Sequence, residues 1–134
     1  MADPYANIPY LDPNAAIQQL NFLAGVNPAE IRELFVESVR EITLYPNQLL
    51  CEQDKPIERI WLLLEGTVRQ FRRDQDAQGR PRQLLKRECE PGTLIGSYDF
   101  LFETTYRTRA SAVTTCRLLA IESKALSRLI FRFP

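Results

Sequence analysis

The chain has 134 residues, 45% of them hydrophobic and 25% charged, which is enough for one domain with a core of its own, without disulfides or metal, and forces no disorder on it. Lys plus Arg and Asp plus Glu are 17 each, so no global field draws the chain to nucleic acid or to an anionic membrane, and any basic site must be local. The absence of histidine removes the commonest general base and the usual ligand of catalytic zinc and of haem, which weakens hydrolase and metal-cupin readings.

Residues 1–12 form a Pro-rich lead, MADPYANIPYLD, whose acidic residues and lack of an apolar run make it neither a signal nor a transit peptide. Residues 13–38 read as N-terminal helices. Asp12 before Pro13 looks like an N-cap and first helical residue, with Ile17, Leu20, Leu23 and Ala24 at helical spacing up to Gly25. A second start follows in NPAE, where Asn27 caps, Pro28 suits the first turn and Glu30 takes the capping-box position before Ile31, Leu34 and Phe35.

From Val39 the period changes to short β-type runs punctuated by turn signals. These are REITLY, QLLCE, IERIWLLLEGTVRQF interrupted at Gly66, RQLLKREC, TLIG, ASAV and RLLAI, with DQDAQG as a polar loop. So many short strands over 39–122 predict a mainly β fold, a jelly roll or barrel, over alternating βαβ units. Ser123 caps a last helix, 123–134, whose apolar stripe is Ala125, Leu126, Leu129, Ile130 and Phe133. That stripe has no partner in the sequence before the chain stops, so the expectation is a fragment whose closing helix continues past Pro134.

The cysteines, Cys51, Cys89 and Cys116, are odd in number and lack CxxC spacing, so no disulfide framework or structural zinc is expected and a reducing cytoplasm is the simpler location. Cys51 and Cys116 read as small buried residues, whereas Cys89, between Glu88 and Glu90, reads as the exposed thiol. Trp61, among Ile60, Leu62, Leu63 and Leu64, reads as core. The basic stretch RQFRRDQDAQGRPRQLLKR reads as the solvated face of a hairpin, without nucleic-acid contact.

Three phrases resemble the cyclic nucleotide-binding domain family, whose members include catabolite activator proteins and kinase regulatory subunits. IERIWLLLEGTVRQF is similar to its strand-glycine-strand signature, EPGTLIG to the strand leading into its ligand cassette, and CRLLAIESKALSRLIFRFP to the strand and helix that follow. The resemblance implies a double-stranded β-helix (jelly roll) flanked by N-terminal helices and a C-terminal helix. It also implies a regulatory, non-enzymatic role with no cofactor, in which cAMP or cGMP is the ligand. In the family a glycine and a glutamate open a short helix that cradles the cyclic phosphate, and an arginine just past it neutralises that phosphate.

In GSYDFLFETTYRTRASAV, Gly96 matches the glycine, Ser97 stands where the glutamate is expected, and Asp99 falls near the phosphate, where its charge repels, unless Asp99 or Glu103 turns inward to replace the missing carboxylate. Counting forward from Gly96 makes Arg107 the arginine. Reading by local phrase makes it Arg109, followed by Ala110 and Ser111, while counting back from Ile121 lands on Tyr106. In an extended strand Arg107 and Arg109 share a face, so the two either line one pocket together or stand as solvated surface charges. The expected site is therefore Gly96, Ser97, Tyr98, Asp99, Arg107, Arg109, Ala110 and Ser111, with Leu94, Ala110 and Ala112 on its apolar side. Two functions follow from the resemblance: a sensor that signals through its closing helix to an effector beyond Pro134, or a degenerate, nucleotide-free scaffold for protein interaction or homodimerisation.

Overall fold

The computed structural model describes residues 3–20, 29 and 32–132. Helix α1 (Pro13–Gln19) starts where the sequence places it, because the Asp12 carboxylate accepts the Asn14 and Ala15 N–H groups at 3.1 and 3.4 Å. The expected continuation of α1 through Leu23 to Gly25, and the second start at Asn27, Pro28, Glu30 and Ile31, lie outside the described residues. Leu34 and Phe35 belong to a 3-10 turn, Arg32–Phe35, and both are buried.

Eight strands follow: β1 (Val39–Leu44), β2 (Leu49–Cys51), β3 (Arg59–Glu65), β4 (Val68–Gln75), β5 (Pro81–Cys89), β6 (Leu94–Ile95), β7 (Arg109–Ala112) and β8 (Cys116–Glu122). Helix α2 (Ser97–Phe102) separates β6 from β7, and α3 (Ser123–Arg132) closes the described chain. The strands form two four-stranded antiparallel sheets, ordered β1-β8-β3-β6 and β2-β7-β4-β5, as a jelly roll requires.

The first sheet is covered on both faces, which explains its near-continuous apolar runs. In β3, Trp61 and Leu63 point into the roll while Ile60 and Leu62 point outward to the helices; in β8, Leu118 and Ala120 point in while Leu119 and Ile121 point out. The outer core also takes Leu34 and Phe35, Ala125 and Leu126 of α3, and, partly buried, Phe100 of α2. Ser123 does not cap α3 with its side chain; its hydroxyl donates to the Ile57 carbonyl at 3.4 Å. Of the apolar stripe, Ala125 and Leu126 are buried, Ile130 is exposed, and Phe133 lies outside the described residues.

The N-terminal lead is part of the fold. Tyr5 enters the inner core, and its hydroxyl accepts the Trp61 Nε1–H at 3.4 Å. Arg40 Nε donates to the Ile8 carbonyl at 2.9 Å while its guanidinium stacks 3.8 Å over Tyr10. The β3–β4 turn requires its glycine: Gly66 has φ +96°, and a Cβ there would meet the Thr115 carbonyl oxygen at 2.6 Å and Cys116 Sγ at 2.7 Å. No helix among the described residues is long and apolar enough to cross a membrane.

Candidate functional site

β6 ends at Ile95, and Gly96 follows it with φ 91°, the left-handed conformation that starts α2. A Cβ on Gly96 would meet only ordinary contacts, the nearest Ile60 Cγ2 at 3.5 Å, so the backbone angle and not crowding calls for glycine. The Ser97 hydroxyl donates to the Leu94 carbonyl at 3.0 Å and is spent closing this turn.

Asp99 turns inward from the first turn of α2. Its side chain is 7% exposed, and its carboxylate accepts the Arg107 Nε–H at 2.7 Å and the Arg107 backbone N–H at 3.3 Å. The Arg107 guanidinium lies 4.1 Å over the Tyr98 ring. The hydrogen bond it donates to Asp99 holds the Arg107 guanidinium charged to still higher pH than usual. The carboxylate therefore already pairs with the arginine that the resemblance, counted forward from Gly96, assigns to the phosphate.

Tyr106, the third register candidate, is a buried pillar beneath this corner. Its hydroxyl donates to the Arg59 carbonyl at 2.6 Å and accepts the Glu58 and Arg59 N–H groups at 3.3 and 3.2 Å, and burial pushes its phenol up to about 12. Arg107 precedes β7, so the strand geometry that put Arg107 and Arg109 on one face does not apply. Arg109 instead reaches Glu52, with Nε 3.5 Å from Oε2, and does not line the cleft described below. Ala110 and Ala112 alternate into the inner core, and Ser111 sits half-buried on the other face of β7.

Gly96, Ser97, Tyr98, Asp99 and Arg107 do come together, with Leu94, Ile95 and Thr108, around a cleft of about 570 Å³. Its opposite wall is the β4–β5 hairpin, which contributes Gln70, Arg72, Lys86 and Arg87. Sequence reasoning treated this hairpin as solvated surface and missed these residues. The cleft thus presents four cationic side chains, Arg72, Lys86, Arg87 and Arg107, against the single carboxylate of Asp99. A larger cleft of about 820 Å³, between the N-terminal lead and β2, sets Asp3, Glu52, Glu58 and Glu122 against Arg59 and Lys124, so its charge opposes an anion.

The thiol expected to be exposed is not. Cys89 is fully buried at the end of β5, paired with Val68, because alternation turns its charged neighbours outward and the thiol into the core. Burial pushes the Cys51 thiol up to about 12, and Cys116 is buried as well. No cluster of potential metal ligands occurs among the described residues.

The family model of the cyclic nucleotide-binding domain matches residues 41–133. Among solved structures, the sensor domain of the transcriptional regulator DNR from Pseudomonas aeruginosa aligns at TM-score 0.71 and 18% identity, over 89% of this chain and 79% of that one. The regulatory domain of Toxoplasma gondii PKA, solved with cAMP, aligns at TM-score 0.70 and 14% identity over 87% of this chain and 43% of that one. The catabolite activator protein of Thermus thermophilus aligns at TM-score 0.61 and 26% identity over 84% of this chain, which spans 50% of that protein. No protein of curated function matches the sequence.

Proposed function

We propose a ligand-sensing role for this chain, which belongs to the cyclic nucleotide-binding domain family. The ligand is small, anionic and of nucleotide size, with cAMP and cGMP as the first candidates, and it enters the cleft between α2 and the β4–β5 hairpin. One observation carries this reading: the cleft, of about 570 Å³, gathers four cationic side chains against one carboxylate. Within it, Gly96, Ser97 and Tyr98 shape the floor, Asp99 and Arg107 form a latch, and Leu94 supplies apolar contact.

A route from ligand to partner is built into the outer core. Phe100 of α2 packs into the same cluster as Ala125 and Leu126 of α3, so a ligand that moves α2 changes the seat of α3. The role is regulatory, and α3 is the element that reports to an effector. The Pseudomonas sensor domain belongs to a transcriptional regulator and the Toxoplasma domain to a kinase, which are the two kinds of effector to consider first.

The Asp99–Arg107 bond favours a second reading, a nucleotide-free interaction scaffold, because it satisfies the arginine without any ligand. Calorimetric titration with cAMP, cGMP, AMP and ADP separates the two. Saturable binding that Tyr98→Ala weakens supports the sensor. Silence toward all four at millimolar ligand leaves the scaffold.

A further inference from the structure

The cations of the β4–β5 hairpin fall into two sets. Arg69 pairs with Glu88 at 3.4 Å, Arg73 with Glu52 at 3.2 Å, Arg80 with Asp76 at 2.9 Å and Arg82 with Asp74 at 2.6 Å. None of these four lines the cleft. Arg72, Lys86 and Arg87 do line it, and among the described residues none of them forms an ion pair. Arg72 donates only to the Arg107 carbonyl, at 3.2 Å. Asp74, the carboxylate that senses Arg72 and Lys86 at longer range, is already engaged by Arg82 at 2.6 and 3.3 Å.

The backbone shows how these side chains reach one wall. Regular alternation sends consecutive strand residues to opposite faces, so Lys86 and Arg87 should not both line the cleft. They do because the β4–β5 register slips there: Gln70 pairs with Arg87 and Phe71 with Leu85, leaving Lys86 as the extra residue of a bulge. A bulge turns two neighbouring side chains toward the same side at the cost of a ladder position. Across the cleft, meanwhile, Asp99 has taken Arg107.

We infer that the hairpin wall, and not the arginine beside α2, holds the ligand's charged group: Arg72, Lys86 and Arg87 form a phosphoryl subsite for a small phosphate ester carrying two or more negative charges. Cations held together without counter-ions gain from a multiply charged anion, and guanidinium groups match phosphoryl oxygens in pairs. A monoanionic cyclic ester uses such a wall less well than a terminal phosphate does. The inference rests on the ligand-sensing reading above and names the ligand class and orientation for that same cleft.

The test is calorimetric titration of the chain with cAMP, AMP and ADP, repeated on Arg107→Ala and on two double variants. Lys86→Ala with Arg87→Ala strips the wall, and Arg73→Ala with Arg80→Ala removes the same charge from paired positions of the same hairpin, whose carboxylates Glu52 and Asp76 keep Arg109 and backbone N–H groups as partners. The expected result is affinity rising from cAMP through AMP to ADP. ADP binding should weaken by at least about tenfold in the wall variant and by less than about threefold in the control. Equal loss in both variants reduces the effect to net charge and overturns the subsite. So does ADP binding no tighter than cAMP and lost only on Arg107→Ala, which leaves the sensor reading standing. Silence toward all three ligands overturns both.

Discussion

The Asp99 carboxylate holds Arg107 through two contacts, Nε at 2.7 Å and the backbone N–H at 3.3 Å, and so ties the first turn of α2 to the segment that leads into β7. The two ends of this bond are unequal, since the Asp99 side chain is 7% exposed and that of Arg107 45%. Losing the arginine side chain therefore leaves a nearly buried carboxylate with a backbone N–H but no counter-charge, whereas losing the aspartate releases a cation that water can solvate.

Arg107→Ala alone should cost about 2 kcal/mol in urea denaturation, the penalty of a nearly buried carboxylate left with only the residue-107 backbone N–H. Adding Asp99→Ala should recover part of that loss, because the pair is coupled. A double variant less stable than the sum of its singles would show that Asp99 contributes something other than its bond to Arg107.

Asp99→Asn weakens the competitor for Arg107 while nearly preserving shape. Anion affinity should rise several-fold relative to the unaltered chain, read by calorimetry with ADP. Unchanged affinity would mean that the latch does not oppose the ligand.

Burial raises the Tyr106 phenol to about 12 from 10.0 and the Cys51 thiol to about 12 from 9.0, and raises the Tyr5 phenol as well. In the unfolded chain these groups ionise at their ordinary values, so above about pH 9 the unfolded state sheds protons that the folded state keeps. Their contribution to stability is complete below that pH and is lost as pH climbs toward about 12. Urea midpoints across this range should fall. Tyr106→Phe should shallow the fall, while costing about 2 kcal/mol at neutral pH by stranding the Glu58 and Arg59 backbone groups.

Gly66→Ala adds a Cβ 2.6 Å from the Thr115 carbonyl oxygen at φ +96°, and should cost roughly 3 kcal/mol. Gly79→Ala, at φ +80° with nothing within 4 Å, should cost only about 1 kcal/mol, the conformational part alone. Thermal denaturation of the two variants side by side separates crowding from backbone angle.

Features set by local pattern were legible in the sequence. Apolar runs such as Ile60–Leu64 and Leu118–Ile121 announce strands covered on both faces, and Asp12–Pro13 announces α1. The family phrases around Gly66 and Gly96 gave the jelly roll. What stayed hidden depends on pairing between distant strands. The bulge at Lys86 is a register slip against Gln70 and Phe71, and nothing in RQLLKREC marks it. Cys89 looks exposed beside Glu88 and Glu90 until its pairing with Val68 fixes the face. Asp99 reads as a repelling charge near a phosphate, and only the fold shows it bonded to Arg107.

The most direct test of the cleft as the ligand site is a titration of the isotope-labelled chain with ADP, followed by backbone amide NMR. Shifts should concentrate at Gln70, Arg72, Lys86 and Arg87 on the hairpin and at Gly96, Ser97, Asp99 and Arg107 facing them, with smaller changes at Ala125 and Leu126 of α3. An unchanged spectrum at millimolar ADP, or shifts confined to the acidic cleft around Asp3 and Glu122, would contradict it.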